Sequence, residues 1–484
     1  MLYPNPPKPA ISYLVLTYAI VSLMTAVKGP EFQWDNGSTT VFSSRERPQM
    51  LLGPTGEPAY LSNGMVSTSW AGNTFTLVAP INTAATVAAA SAVVGAAAAL
   101  QSELTNASRN TTQPGEAPFE CSTEWDCTLS GECVRGRCIC DKPWYGDKCQ
   151  SLKLKPAKLA APFVPKKTPN HITWGCAPFL ANDGTGRVCM YFTWLVGWDD
   201  GNHTRPVPAS DMLSGSLGMA CAASVEGPYS IIEPVAFPFR PGQFDNSYLE
   251  NAVLTYSSFD EGYLLAYTTS PPGIARNTLN WEGNGGNITG LQDIGIAFSK
   301  DPLKGEWKRL NRTILKPHTD GYEGGIAINP AVLTFPNGTV VVTFRGTHDD
   351  GYGNCVMENW EAPCVRPPKN LFNSDARWVG TEDPFSYRGP RGYIMISHSF
   401  KNQYHAAAGT KAISRDGLNW VWAGTEAYNY TLTLENGSAT TFFRREEPKL
   451  LMSNDGKPLA LFNVVDDSFL YNNTRIIVQE LDYS

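Results

Sequence analysis

Short hydrophobic runs alternate with polar positions and are joined by turns across most of the chain beyond residue 170. In Gly380 to Phe400, GTEDPFSYRGPRGYIMISHSF, an acidic pair and a proline open one run. A turn at Arg388-Gly389-Pro390-Arg391-Gly392 divides it, and Tyr393 to His398 closes it as a second run. A period of two bounded by turn residues predicts a β-hairpin. The same grammar recurs in Thr173 to Leu195, Leu249 to Thr269, Ile328 to Gly346 and Arg445 to Val465. Hairpins recurring every 55 to 80 residues or so suit blades of four antiparallel strands. Segments joining Ser, a turn and an aromatic residue, as in Ser414-Arg415-Asp416-Gly417-Leu418-Asn419-Trp420, supply the outer strands. The predicted fold is all-β, a five-bladed β-propeller over residues 169-484; a β-sandwich of similar hairpins is the alternative.

The pattern also repeats far upstream. Asp35 to Met65, DNGSTTVFSSRERPQMLLGPTGEPAYLSNGM, matches Glu435 to Val465, ENGSATTFFRREEPKLLMSNDGKPLALFNVV. Residues 28-80 therefore read as the closing blade of an upstream propeller copy. Before them, the apolar run Ala10 to Val27 fits a signal peptide or a signal anchor, so a membrane tether through residues 1-27 is an expectation. Residues 81-120 read as an Ala/Ser/Thr-rich linker in preference to a membrane span, and 151-168 as a second linker carrying Lys and Pro.

Composition narrows the function. Gly (43) and Pro (36) are abundant and charged residues are 17%, the profile of a turn-rich β protein. A net charge of -7 leaves no basic patch, which argues against nucleic acid as a partner. Sequons at Asn36, Asn106, Asn110, Asn202, Asn287, Asn311, Asn337, Asn429, Asn436 and Asn472 point to the secretory pathway, hence to an extracellular or cell-surface glycoprotein. No nucleotide-binding loop, HExxH or Gly-x-Ser-x-Gly occurs, and the histidines lack metal-ligand spacing, so no cofactor and no metal is assigned.

Cysteines carry the sharpest local signal. Cys121, Cys127, Cys133, Cys138, Cys140 and Cys149 crowd into CSTEWDCTLSGECVRGRCICDKPWYGDKC, ending in C-x-C and an aromatic-Gly turn. Residues 121-150 resemble an EGF-like domain. The resemblance implies pairing of Cys121 with Cys133, Cys127 with Cys138 and Cys140 with Cys149; spacing alone leaves fifteen connectivities open, and a zinc site is the rival reading. The acidic stretch of calcium-binding modules is absent before Cys121, so no calcium is expected there. In the propeller, Cys355 with Cys364 and Cys189 with Cys221 are the expected bridges, leaving Cys176 as a thiol.

In a propeller the residues that open each inner strand converge on one funnel. Those openings are Trp174-Gly175-Cys176, Glu250-Asn251, Asn329-Pro330, Glu382-Asp383-Pro384 and Arg445-Glu446-Glu447-Pro448. In this order they resemble the five-bladed propeller glycoside hydrolases, the glycosyl hydrolase family 43-like superfamily of arabinanases, β-xylosidases and invertases. The resemblance implies hydrolysis of O-glycosyl bonds in a poly- or oligosaccharide by a carboxylate set. Glu382 matches the acid position, Asp383 equally matches the stabiliser, and Glu446 and Glu250 are the further catalytic carboxylates. Adjacent strand residues face opposite ways, so Glu382 and Asp383 are not expected to serve together. Trp174, Asn329, Arg345, His398 and Arg445 are candidate substrate-binding residues, Trp174 and His398 as the floor of a sugar subsite. The first blade opens on Gly175-Cys176 where the superfamily brings a carboxylate. A non-catalytic carbohydrate-binding or adhesion protein, with the EGF-like module as a spacer, is therefore the alternative.

Overall fold

The computed structural model describes residues 31–33, 39–41, 44–52, 58–66, 74–80, 121–158, 163, 171–197, 212–233, 237–246, 248–270, 292–318, 327–346, 352–367, 371–372, 381–399, 408–424, 426–467 and 474–484. Residues 1-27 and all of 81-120 lie outside them, and with them the apolar run and the segment expected as a linker. Among the described residues no helix is long and apolar enough to cross a membrane. The chain divides into two units, Met1–Ala117 and Pro118–Ser484.

In the first unit, Ser44–Leu52, Pro58–Val66 and Thr74–Pro80 form a three-stranded antiparallel sheet, beside the short pair Glu31–Gln33 and Thr39–Val41. Its register matches that of the last blade of the second unit. Glu46 pairs with Gly64 and Tyr60 with Pro80; Glu446 pairs with Val464 and Ala460 with Glu480. Even the irregularity between Glu46 and Gln49 recurs between Glu446 and Lys449. The repeated sequence thus specifies repeated backbone pairing.

The second unit holds the five-bladed β-propeller. Blade one is His171–Leu180, Val188–Gly197, Met212–Ala222 and Ser230–Ile231; blade two is Leu249–Ser257, Gly262–Thr269, Asp293–Ser299 and Lys308–Arg309. Blade three is Ile328–Thr334, Val340–Arg345 and Tyr352–Met357; blade four is Thr381–Gly389, Gly392–Ser399, Gly409–Ser414 and Val421–Gly424. Blade five is Arg444–Met452, Pro458–Asp466 and Arg475–Glu480. Each inner strand packs against the next and the fifth against the first, closing a ring. Apolar faces between blades form the core, with Val253, Val332, Phe385 and Leu450 buried in one continuous cluster. Antiparallel blades bury both faces this way without exposing long edges.

Closure is sealed from upstream. Leu154 pairs with Leu481 and Phe163 with Ile476, so the chain entering the propeller runs antiparallel to the last strand and covers its edge. The segment expected only as a linker, 151-168, therefore adds pairing to blade five.

Cys121 is bonded to Cys133, Cys127 to Cys138 and Cys140 to Cys149, which removes the thiolates a zinc ion would need. The Cys189–Cys221 and Cys355–Cys364 bonds also form, and Cys176 is a buried free thiol. Burial pushes that thiol up, which makes it inert. The disulfide module is no spacer. Cys127, Trp144, Cys149 and Leu152 share one core with blade four. The Lys411 ammonium, fully buried on blade four, donates to Thr128 Oγ1 (2.8 Å), Ser130 Oγ (2.7 Å) and the Cys149 carbonyl (2.8 Å). It lies 3.5 Å from the centre of the Trp144 ring. Around it, Arg391 pairs with Asp141 and Glu132, and Arg415 with Glu124. A module too small for its own core borrows that of the propeller.

Candidate active site

Every inner strand carries a bulge at the same height. Regular pairing is interrupted at Gly175, Asn251-Ala252, Asn329-Pro330, Asp383-Pro384 and Glu447-Pro448. The leading residue of each sits in the left-handed region, at φ 36° for Gly175, 49° for Asn251, 51° for Asn329, 55° for Asp383 and 51° for Glu447. Such a conformation in a non-glycine residue costs on the order of 1 kcal/mol or more, and strain of this kind gathers at functional sites. Here it re-aims side chains.

Neighbours on a regular strand face opposite ways, but the bulge turns both Glu382 and Asp383 toward the axis. One donor atom each from Glu382, Asp383, His398 and Glu446 lies within 4.8 Å of the others.

The bulge residues form a chain of hydrogen bonds across the channel. Asn251 Nδ2 donates to Asn329 Oδ1 (2.7 Å), Asn329 Nδ2 donates to Asp383 Oδ1, and the Glu447 backbone N–H donates to Asp383 Oδ2 (3.1 Å). Lys449 Nζ holds Glu447 Oε2 at 3.0 Å. Gly175 completes the circle without a side chain, because a Cβ there would stand 3.2 Å from Glu447 Oε2. Burial, then the charges of Glu447 and Glu382, raise the Asp383 carboxyl well above the usual range. Asn329 is thus a member of this axial layer, bonded on both sides.

Beside that layer stand two carboxylates with opposite electrostatics. Burial pushes the Glu382 carboxyl up, but Arg345 and His398 outweigh it and the net pKa is lowered. Arg345 Nη1 lies 2.6 Å from Glu382 Oε2 and His398 Nδ1 lies 3.3 Å from Oε1. An ionised Glu382 accepts from His398, which requires the proton on Nδ1. His398 Nε2 meets the Tyr430 hydroxyl at 3.1 Å, so the ring is held at both ends. Glu446 goes the other way. Burial is the main cause and the Glu382 charge adds to it, against His398 and the Arg444 guanidinium 2.7 Å away, and the net pKa is raised. Glu250 is buried farther round the ring, where Gln292 Nε2 donates to it at 3.1 Å.

Three expectations change. Glu382, expected as the protonated acid, sits where the ionised form is favoured. His398 is fully buried and fixes Glu382, so it floors no subsite. Arg445 is buried against Asn463, Gln479 and the Asn429 carbonyl, a structural post away from the carboxylates. The arginine that serves the site is its neighbour Arg444. A signal for that was present, since residues two apart on a strand share a face and Arg444 stands two before Glu446. Trp174 is half-buried against the core between blades one and five. Tyr430, Gln292 and Lys449 carried no sequence signal beyond their polarity.

Glu382, Asp383, His398 and Glu446 are close enough to share a cation. Arg345 pairs with Glu382 and Arg444 with Glu446, so two of the three carboxylates already have a cationic partner within the cluster.

The sequence matches no protein-family model and no curated protein. Solved structures of similar shape include a family 117 glycoside hydrolase of the marine bacterium Zobellia galactanivorans, at TM-score 0.47 and 13% identity, covering 69% of this chain and 91% of that one. The native arabinanase of Bacillus subtilis covers 64% of this chain and 97% of its own at TM-score 0.39 and 12% identity. The catalytic domain of a family 62 α-L-arabinofuranosidase from Coprinopsis cinerea covers 68% and 97% at TM-score 0.47 and 10% identity.

Proposed function

We propose that the propeller hydrolyses glycosidic bonds of a poly- or oligosaccharide. The observation that carries this reading is the Glu382 and Glu446 pair, two carboxylates less than 4.8 Å apart at their nearest oxygens whose surroundings push their pKa values in opposite directions. Glycoside hydrolysis needs one carboxyl protonated to release the leaving group and one ionised on the other side of the bond. Glu446 is the acid and Glu382 the ionised partner. Separations of about 5 Å accompany a covalent intermediate and retention, whereas inversion needs roughly 6.5 to 9.5 Å to admit a water. Glu382 is the ionised group that acts opposite Glu446, as nucleophile or as base. Arg345 and His398 orient Glu382, and the Tyr430 hydroxyl holds the other end of the His398 ring.

The five disulfides and ten sequons support a protein of the secretory pathway, where polysaccharide is met outside the cell. The EGF-like module serves as a buttress of blade four, the blade that carries Glu382 and His398.

A carbohydrate-binding protein without turnover is the second reading, favoured by Gly175 standing where the other four blades bring an amide or a carboxylate. Assaying the full chain on aryl glycosides and plant or algal polysaccharides separates the two. Turnover that vanishes in Glu382→Gln supports the enzyme; sugar binding without turnover supports the second reading.

A further inference from the structure

Of the sequons, those at Asn311, Asn337, Asn429 and Asn436 fall among the described residues, and all four asparagines are exposed. Asn337, followed by Gly338 and Thr339, makes the turn between Ile328–Thr334 and Val340–Arg345 of blade three. Its Oδ1 accepts from the Thr339 backbone N–H at 3.1 Å, a bond in which the amide nitrogen takes no part. An aromatic neighbour comes from blade two. Phe259, on the turn between Leu249–Ser257 and Gly262–Thr269, lies so close to Gly338 that a Cβ there would stand 2.9 Å from Phe259 Cε1. Gly338, at φ 89°, admits the ring because it has no Cβ. The two hairpins are tied beneath this contact. Thr334 Oγ1 donates to the Tyr256 carbonyl at 2.9 Å and Thr255 Oγ1 to the Val332 carbonyl at 3.1 Å. Phe259 nevertheless keeps 56% of its surface in water.

We propose that Asn337 carries an N-linked glycan whose first sugar packs on Phe259, so that the modification joins blade two to blade three. The proposal rests on the secretory-pathway reading above. In the step itself the Asn337 amide nitrogen attacks C1 of a lipid-diphosphate-linked oligosaccharide. A C–N bond forms, the C1–O bond breaks, the lipid diphosphate leaves with the electron pair, and the nitrogen gives up one proton. Thr339 supplies the hydroxyl that completes the acceptor signal. Reach is short. Phe259 covers the residue next to Asn337, with about 3.8 Å between consecutive Cα atoms, and the first sugar ring is bonded directly to the Asn337 amide. One face of a pyranose ring presents C–H groups, and laying it on the phenyl ring takes apolar area of both out of water. Substrate access is untouched. The inner strand carries the chain from Asn329 to Thr334, roughly 15 Å at about 3.3 Å per residue, so Asn337 stands at the end of blade three away from Glu382 and Glu446.

The test expresses the full chain in animal or plant cells and maps the sugar-bearing asparagines by peptide mass spectrometry after enzymatic release in heavy-oxygen water. Asn337 should be occupied. Thr339→Ala abolishes the acceptor signal while keeping Asn337 and the backbone N–H that it accepts from, and it should lower the thermal midpoint by roughly 1 to 3 °C, the loss of one sugar–aromatic contact. In a Phe259→Ala background the same substitution should cost nothing further, because the partner of the sugar is already gone. Trimming the glycan to its first sugar should leave the parent's midpoint where it was. Asn337 unmodified while Asn311, Asn429 or Asn436 carries sugar would overturn the proposal and leave the secretory reading standing. Sugar at none of the sequons would overturn both. Equal losses from Thr339→Ala in the two backgrounds would overturn the contact with Phe259.

Discussion

The Arg345 guanidinium lies 2.6 Å from the Glu382 carboxylate, close enough to reverse what burial alone would do to that group. Such a pair costs more to break than to omit, because a buried carboxylate without its cation loses its largest compensation. Arg345→Met should therefore raise the Glu382 pKa. Glu382 must be ionised to act, so activity falls as pH drops through its pKa, and the acid limb of the kcat/KM profile should move to higher pH in the variant. A profile with an unmoved acid limb would separate Arg345 from Glu382.

Stability should follow the same logic with two signs. The folded pKa of Glu382 is depressed, so its contribution is present above the unfolded carboxylate range near pH 4.3 and is lost as pH falls through the folded value. Asp383 and Glu446 are raised, so theirs is full below that range and is lost as pH rises through their folded values. Asp383→Asn should flatten the alkaline side of the stability profile, measured by thermal midpoint against pH. It should cost about 1 to 2 kcal/mol at low pH, for the disturbed bonds to Asn329 and the Glu447 N–H.

Lys411 ties the disulfide module to blade four through three acceptors, and its burial lowers its pKa well below the usual lysine value. Lys411→Ala takes the donor from the buried Ser130 hydroxyl, leaves the Cys149 carbonyl only its bond from Thr128 Oγ1, and opens a cavity beside Trp144. A loss of about 3 kcal/mol or more in chemical denaturation is expected, with faster proteolysis within 121-150. Lys411→Met, which keeps the volume, should recover only the packing part.

Gly175 combines a positive φ of 36° with a Cβ position 3.2 Å from Glu447 Oε2. Gly175→Ala should cost about 1 to 2 kcal/mol from backbone strain and the displaced Glu447, read from urea unfolding.

Residues 28-80 reproduce the pairing of blade five, yet one blade cannot bury enough surface to fold alone. Expressed separately, that segment should show no cooperative thermal transition; a sharp one would contradict its description as a fragment.

The hairpins were legible because their turns are local: Asn337-Gly338 and Asn454-Asp455-Gly456 fix where each strand reverses. The site was legible only in outline. Glu382, Asp383 and Glu446 stood out as acidic strand openings, but their facing depends on bulges that strand periodicity does not carry. A trace of the bulges was present, since Pro330, Pro384 and Pro448 each follow the left-handed residue and cannot donate to a ladder. What lay beyond reading was non-local. Tyr430 reaches His398 from the connection before blade five, Lys411 reaches back to the disulfide module, and Phe163 closes the last blade.

The division of labour between Glu382 and Glu446 is tested most directly by changing the leaving group in the Glu446→Gln variant. An acid is needed to expel an alcohol or sugar but not a dinitrophenolate, which departs unaided. The variant should lose kcat/KM on polysaccharide by a factor of about 100 or more and keep most of its kcat/KM on a dinitrophenyl glycoside. Equal losses on both substrates, or a Glu382→Gln variant that shows this selective pattern instead, would contradict Glu446 as the acid.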